Sequence, residues 1–470
     1  MKRRATGTSS SKPPAAKKRQ VKIPEVGAAT EYDLLTPQNN PSSTGWSSRP
    51  AALRTVPSLI TLSINAFASN LVALYQKDSE RTRRFLKLVP EVLLMRLWSA
   101  LRREQPTVLS HGFIVANFIR GREIVLTGDL PGVSAQTLHA IAGLGQGLHQ
   151  LELSGLTKTA DNVFALVLKE TLNLESLVLR GSTKVGVKTA AAASKCKMLK
   201  TLNLNYTSVQ STSLVDIFLG CLGLEVLKLA AMPKLNPHAV SSIMQEVLDR
   251  AKRRTEATAP PLQNIRSLKL RQTDINDASL LNLLSHTPNL TTLDVSFTAV
   301  HGFASLNDLA DWMHLQKISV TGCPLRSFVW LTEPTILSSL RTLNFGAIGE
   351  NGSVTLTDDL LEHVSELSYP AANLENLSLV GNSKLGARRA PLHDFVSRIG
   401  RTCKRLNLGG IPNLSNHHLH GLITEDGSSP NIIALNLSNT SITDDAAPFI
   451  SACIHLETLE LANTKITRSV

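Results

Sequence analysis

Apolar residues recur along this chain in a short, fixed phrase. Between Leu199 and Val209 they occupy the first, fourth and sixth places (Leu199, Leu202, Leu204); a small polar residue, Thr207, follows at the ninth and apolar Val209 at the eleventh. The Leu-x-Leu alternation puts two leucines on one face of a strand. The stretches between phrases carry apolar residues three and four apart, as at Leu280, Leu283 and Leu284, which is the spacing of a helix face. With the fourth place as a ruler, the phrase falls at Leu151, Leu177, Leu202, Leu227, Leu268, Leu293, Ile318, Leu343, Leu377, Leu406, Leu435 and Leu459; Ile124 with Leu126 makes a thirteenth at the front. The recurrent step is 25 residues, with two long steps of 41 and 34. Thr207, Thr273, Thr298, Cys323, Asn382, Thr440 and Thr464 hold the ninth place. Their hydroxyl, thiol or amide groups can bond the backbone of the turn and of the adjacent coil. A strand, turn and helix too small to bury its own leucines predicts an α/β solenoid over residues 121–470, of about 12 or 13 repeats. Its parallel strands would line a concave face and its helices a convex one.

These residues resemble the leucine-rich-repeat family, and more narrowly its cysteine-containing, ribonuclease-inhibitor-like class. That class places a Cys three residues before the first Leu, as at Cys196 before Leu199, Cys221 before Leu224 and Cys453 before Leu456. It often continues into an Ile-Thr-Asp turn, present as Ile442, Thr443 and Asp444 and more loosely as Leu356, Thr357 and Asp358. The resemblance implies a protein-binding scaffold, and such repeats occur in substrate receptors of cullin–RING ubiquitin ligases.

Charge changes the picture only at the front. The 49 basic and 37 acidic residues give +12, but Lys2, Arg3, Arg4, Lys12, Lys17, Lys18, Arg19 and Lys22 stand in the first 24 residues with no acid among them. Removing those eight from the 49 leaves 41 basic residues against 37 acidic, so the remainder is nearly balanced. Residues 1–52 are rich in Ser, Pro, Gly, Thr and Lys and lack any apolar period, which predicts a disordered basic tail. Lys2-Arg3-Arg4 and Lys17-Lys18-Arg19, twelve residues apart, resemble a bipartite nuclear-import signal and imply an importin partner and a nuclear protein. Any nucleic-acid contact would run through this tail's cations.

Residues 53–120 form a different, helical module. Pro57 suits a first turn, and Leu59, Leu62, Phe67, Leu71 and Leu74 mark an apolar stripe. The charged stretch from Lys77 to Arg84 breaks the pattern, and a second helix is expected from Pro90 through Leu93, Leu94, Leu97 and Trp98 to Arg103. Ser58-Leu59, Leu62 and Ser63, followed by Val89-Pro90 with Leu93, Leu94 and Leu97, resemble the elongin-C-binding box of ligase receptors, Ser63 standing where that box usually has Cys. The segment from Val89 to Leu94 is also similar to the start of an F-box, which docks Skp1. Both resemblances imply a tether to a cullin; the same helices would equally cap the solenoid's open end.

No enzyme signature is present: there is no Walker loop, no GxGxxG after a strand, no HExxH and no GxSxG. The five cysteines lack CxxC spacing and read as buried thiols in a reducing compartment, and His417, His418 and His420 read as surface histidines. No cofactor or metal is expected. No run approaches the ~18 apolar residues of a membrane span, so the chain reads as soluble and intracellular. One catalytic family shares the architecture, the leucine-rich-repeat activators of the Ran GTPase, which have longer repeats and an acidic C-terminal tail. On the concave face, residues equivalent by position form columns across strands. These columns gather Lys228, Lys269 and Arg271, with Arg180 and Lys317 within a few repeats, into a basic patch suited to an acidic or phosphorylated segment. The tail reading is directly testable: replacing Lys17, Lys18 and Arg19 with Ala moves a fluorescently tagged chain from nucleus to cytoplasm, and an unchanged nuclear signal by microscopy contradicts it.

Overall fold

In the computed structural model the residues described are 57–253, 261–302, 314–326, 339–347, 356–367, 373–423 and 428–467. The basic tail with its two import clusters lies outside them, as do most of the loop after Gly346 and Pro260. Thirteen strands among the described residues form one sheet: β1 (Glu123–Thr127), β2 (Gln150–Ser154), β3 (Ser176–Val178), β4 (Thr201–Asn203), β5 (Val226–Lys228), β6 (Ser267–Lys269), β7 (Thr292–Asp294), β8 (Lys317–Ser319), β9 (Thr342–Asn344), β10 (Asn376–Ser378), β11 (Arg405–Asn407), β12 (Ala434–Asn436) and β13 (Thr458–Glu460). Their spatial order is their chain order, and neighbours pair in parallel. The ruler leucines stand opposite one another, Leu177 against Leu202, Leu202 against Leu227 and Leu268 against Leu293, and Ile124 against Leu151 brings in the thirteenth rung. Leu177, Leu202 and Leu293 are fully buried in one apolar core between the sheet and the repeat helices.

The ninth-place residues divide by chemistry. The threonines close their own turn: Thr207 donates to the Leu204 carbonyl at 2.7 Å, Thr273 to Leu270 at 2.6 Å and Thr298 to Val295 at 2.7 Å. Cys323 and Asn382 cross to the preceding repeat, donating to the carbonyls of Val295 (3.0 Å) and Phe345 (2.8 Å). Ser182 does the same to Leu153 at 2.7 Å. All five cysteines are buried, free thiols, and burial pushes Cys196 up to about 11 and Cys221 up to about 12. The Asp of the Ile-Thr-Asp turn has a matching role. Asp358 accepts the Gly386 and Arg388 amides of the next repeat at 2.8 and 2.6 Å, and Asp444 accepts that of Thr467. Asp161 does likewise with the amides of Gly186, Lys188 and Thr189. Each carboxylate thus satisfies donors that a helix or turn start leaves open.

Ahead of the sheet stand α1 (Leu59–Lys77), α2 (Ser79–Leu88), α3 (Glu91–Glu104) and α4 (His111–Asn117). Pro57 precedes the helix; Ser58 is the N-cap, its hydroxyl accepting the Thr61 amide at 3.3 Å. The charged stretch expected to interrupt the pattern is itself helical. Asp78 caps α2 by accepting the Arg81 amide at 2.9 Å, and Thr82 and Leu86 bury one face while the arginines stay in water. The module seals the first rung: the indole of Trp98 donates to the Val125 carbonyl of β1 at 2.8 Å, and Arg102 donates to Thr127 at 3.0 Å. Contrary to expectation, α1 is long and apolar enough, by length and composition, to cross a membrane; its Ala and Ser residues cost little on a hydropathy average. In this structure Ala68 and Leu71 pack into the core.

At Asp161, burial alone would raise the carboxyl, and the hydrogen bonds from Thr189, Gly186 and Lys188 outweigh it and hold it below the usual carboxylate range. Its stabilisation is therefore present above the ordinary Asp value and lost as pH falls through the lowered one. Asp161→Ala should cost about 1–2 kcal/mol in urea unfolding at pH 7, with a smaller acid-induced loss than wild type between pH 4 and 2; an unchanged midpoint contradicts the role.

Candidate functional sites: the open sheet face and the N-terminal helices

Beyond each strand the chain leaves the sheet through one residue in the left-handed region. From the second coil to the last these are Gly155, Gly181, Tyr206, Ala231, Gln272, Phe297, Gly322, Ala347, Gly381, Gly410, Asn439 and Asn463, with φ between 47° and 74°. From Gly155 to Asn439 each amide continues the ladder into the next coil, as from Tyr206 to the Ala230 carbonyl (2.9 Å), Gln272 to Ser296 (2.9 Å) and Phe297 to Thr321 (2.7 Å). Gly and Asn tolerate this backbone; a residue with a larger side chain gives up roughly 1 kcal/mol there. Tyr206, Ala231, Gln272 and Phe297 occupy it in four consecutive coils, after β4 to β7.

The same coils carry the cations. Lys228 and Lys269 are directly opposed across β5 and β6, and Lys269 is opposed to Asp294 on β7. Arg271 sits two residues beyond Lys269, its guanidinium 4.8 Å from the centre of the Phe297 ring. Arg180 lies 5.8 Å from the Tyr206 ring, whose hydroxyl donates to Gln272 at 3.0 Å. Phe297 lies against Gly322, where an added Cβ would meet the ring at 2.5 Å. Lys317 on β8 is half-buried, and burial, reinforced by Lys269 and offset by Asp294, pushes its ammonium down to about 8.

The structure therefore gathers Lys228, Lys269, Arg271 and Lys317, with Arg180 three strands from Arg271. It also accounts for four other residues at the middle position of their strands. Asn203, Asp294, Asn407 and Asn436 each accept the amide two residues on, at 2.9–3.1 Å, and are buried structural groups. Tyr206, Gln272 and Phe297 escaped the sequence reading. Their signal was a bulky residue where other repeats have Gly or Asn, visible only once the left-handed position is known.

Other charged regions behave differently. Arg341 and Lys404 flank Glu375, at 3.8 and 3.3 Å, and share its one carboxylate, which offsets part of their charge. His418, expected at the surface, is fully buried; its ring accepts the Ser415 amide at 3.1 Å, and burial pushes it down to about 4. A histidine completes the helix cap there, hence its inward position. Among the described residues no group of three or more His, Cys, Asp or Glu is placed to hold a metal.

In the N-terminal module the residues proposed for adaptor docking separate. Leu94 and Leu97 are 3% and 4% exposed and belong to the core, and Leu93 is half-buried. Helix α3 turns that face inward because Trp98 anchors it to β1. Ser58, Leu59, Leu62 and Ser63 are in contact with or open to solvent, Leu59 at 79%. Ile60, Phe85, Leu88 and Val92 are exposed apolar residues of the same module, Leu88 at 75% and Val92 at 85%. Of the five apolar residues in that set, the structure buries Leu94 and Leu97, leaves Leu93 half-buried and exposes Leu59 and Leu62.

No family model matches the sequence, and no curated protein does. Among solved structures, yeast Rad7, crystallised in complex with Elc1, is 16% identical with a TM-score of 0.49, over 88% of this chain and 96% of that one. An internalin from Listeria monocytogenes is 14% identical with a TM-score of 0.42, over 88% and 94%. A leucine-rich-repeat protein of Leptospira interrogans is 15% identical with a TM-score of 0.41, over 76% and 88%. At these values the repeat assignment rests on the register of the sheet itself.

Seating Phe297 on Gly322 makes a prediction. Gly322→Ala should lower stability by about 1–2 kcal/mol, and Phe297→Ala in the same chain should recover part of that loss in a double-mutant cycle by urea unfolding. Additive effects contradict the contact. The chain is an α/β solenoid with the stacked parallel register of leucine-rich repeats, a basic, aromatic-rimmed centre on its open sheet face and an apolar surface on its N-terminal helices.

Proposed function

We propose that the chain is a non-enzymatic recognition scaffold, the substrate-receptor subunit of a nuclear cullin–RING ubiquitin ligase. The open sheet face binds a protein, and the N-terminal helices tether the receptor to elongin C or Skp1 and through it to a cullin; the ligase chemistry belongs to other subunits. The observation that carries this reading is the outward apolar set Leu59, Ile60, Leu62, Phe85, Leu88 and Val92 on three consecutive helices already anchored to the sheet through Trp98. A cap that only sealed the first rung would need its inward residues alone. Large apolar side chains left in water mark interaction surfaces, and the resemblance of Ser58, Leu59, Leu62 and Ser63 to an elongin-C box names the partner. Nuclear import through the basic tail completes the proposal.

An interaction scaffold without a ligase link is the second reading, favoured by Leu94 and Leu97, which the resemblance assigns to docking and which are spent in the core. Affinity purification of the tagged full chain separates the two. Wild type should bring down a cullin with elongin C or Skp1, and Leu59→Asp with Val92→Asp should lose both while keeping its thermal unfolding midpoint. Absence of any cullin from the wild-type sample, or its retention by the variant, overturns the ligase reading.

A further inference from the structure

Four consecutive left-handed positions filled by Tyr206, Ala231, Gln272 and Phe297 are costly to the fold, and they frame the concentration of cations on the open sheet face. Backbone strain of this kind persists where surrounding structure over-determines it, and it clusters at binding sites. Here the ladder bonds from the strained amides hold the backbone. What the strain secures is the placement of two arginines. Arg271 is stacked on Phe297, and Phe297 rests on a glycine, so a long side chain that would otherwise lose rotamer freedom on binding is already set. Arg180 lies more loosely over the ring of Tyr206, at 5.8 Å, and that ring is held by its hydrogen bond to Gln272. The Tyr206–Gln272 hydrogen bond bridges the coil of Ala231 between the two arginines, and Lys228 and Lys269 stand opposite one another on β5 and β6.

We propose that this centre is a phosphate-recognition site for an extended, phosphorylated segment of a protein partner: Lys228 and Lys269 hold the phosphate, and the stacked Arg271 and Arg180 grip it and the flanking chain. The chemistry favours a dianion. Two ammonium groups on directly opposed strand positions repel, and one phosphate relieves both while accepting from a guanidinium fork. Asp294 is the one carboxylate among the sheet-face positions of β4 to β8; it is buried, accepts the Ser296 amide and stands opposite Lys269, so it offsets one of the several cations there. Three strand spacings of ~4.8 Å separate the arginines, a span that about four residues of extended peptide cover.

A nucleic acid fits less well. Single-stranded chains need a continuous cationic track and open ring faces for bases. Beyond Arg405, the sheet-face positions of β10 to β12 are uncharged (Asn376, Ser378, Val380, Asn407, Gly409, Ala434, Asn436, Ser438), so the cationic track is interrupted, and the Phe297 ring, 43% exposed, already carries Arg271 over one face.

This inference rests on the open face being the partner-binding face. It is tested on the full chain by fluorescence anisotropy with three labelled probes: a phosphoserine and phosphothreonine peptide pool randomised at the flanks, the same pool after phosphatase, and a 20-nucleotide oligothymidylate. The phosphorylated pool should bind at least about tenfold more tightly than its treated counterpart. Lys228→Glu with Lys269→Glu should abolish that difference. Arg271→Lys, which keeps the charge and loses the planar fork, should weaken it at least threefold with the circular dichroism spectrum unchanged. Equal binding of the two pools, indifference to these substitutions, or tighter binding of the oligothymidylate overturns the proposal. The same variants should still bring down the cullin; if they do while phosphopeptide binding fails in wild type, the site assignment falls and the ligase reading stands.

Discussion

A coil of about 25 residues holds a three-residue strand and at most a few helical turns, too little to shelter its own leucines. Everything in this structure follows from having to hide them against the next coil. The in-register pairing of Leu177, Leu202 and Leu227 is the expression of that constraint, because a slip of one residue would turn every buried leucine outward. Ser182, Cys323 and Asn382, whose side chains reach the carbonyls of the preceding repeat, and Asp161 and Asp358, whose carboxylates take amides of the following one, pin the same register with polar groups. The core and the polar links therefore specify one alignment.

That alignment also decides which residues are free to meet a partner. Once alternate strand residues are committed to the core, the sheet's open face is written in the residues between them. At the middle strand position, Asn203, Asn407 and Asn436 bond their own strands. Lys228 and Lys269 bring two cations to the same face, opposed across β5 and β6. The arginines on Tyr206 and Phe297 add rigidity where a solvated lysine patch would have none. At the other end of the chain's described part, the N-terminal helices divide their apolar residues between sealing β1 through Trp98 and facing water at Leu59, Leu88 and Val92.

Much of the fold was legible in the sequence, since a period-two pattern repeated at nearly constant steps determines both strand position and register. Site residues were legible only in part. The basic column followed from strand geometry, and the structure brings Lys228, Lys269, Arg271 and Lys317 together as that geometry implies. The arginine–aromatic stacks were hidden because a left-handed φ is not written in residue type when Tyr or Phe occupies the position. Helix α2 was missed because its charge masked an amphipathic face carried by only Thr82 and Leu86. The orientation of Leu94 and Leu97 was misjudged because a helix with apolar residues on two sides gives no internal sign of which side the anchoring Trp98 will choose. His418 is buried for a local reason, the cap it forms with Ser415, that spacing alone does not reveal.

The central claim is that strands distant in sequence are consecutive rungs, and spin-label distances test it most directly. Glu152 on β2 and Lys269 on β6 are separated by 117 positions in the chain and by four strand spacings in the sheet. Paired labels there should give a distance of about 20 Å by pulsed electron resonance, shortening by about 10 Å when the second label moves to Asn203 on β4. A distance well beyond ~30 Å, or one that does not shrink with the number of intervening strands, would contradict the stacked register and everything built on it.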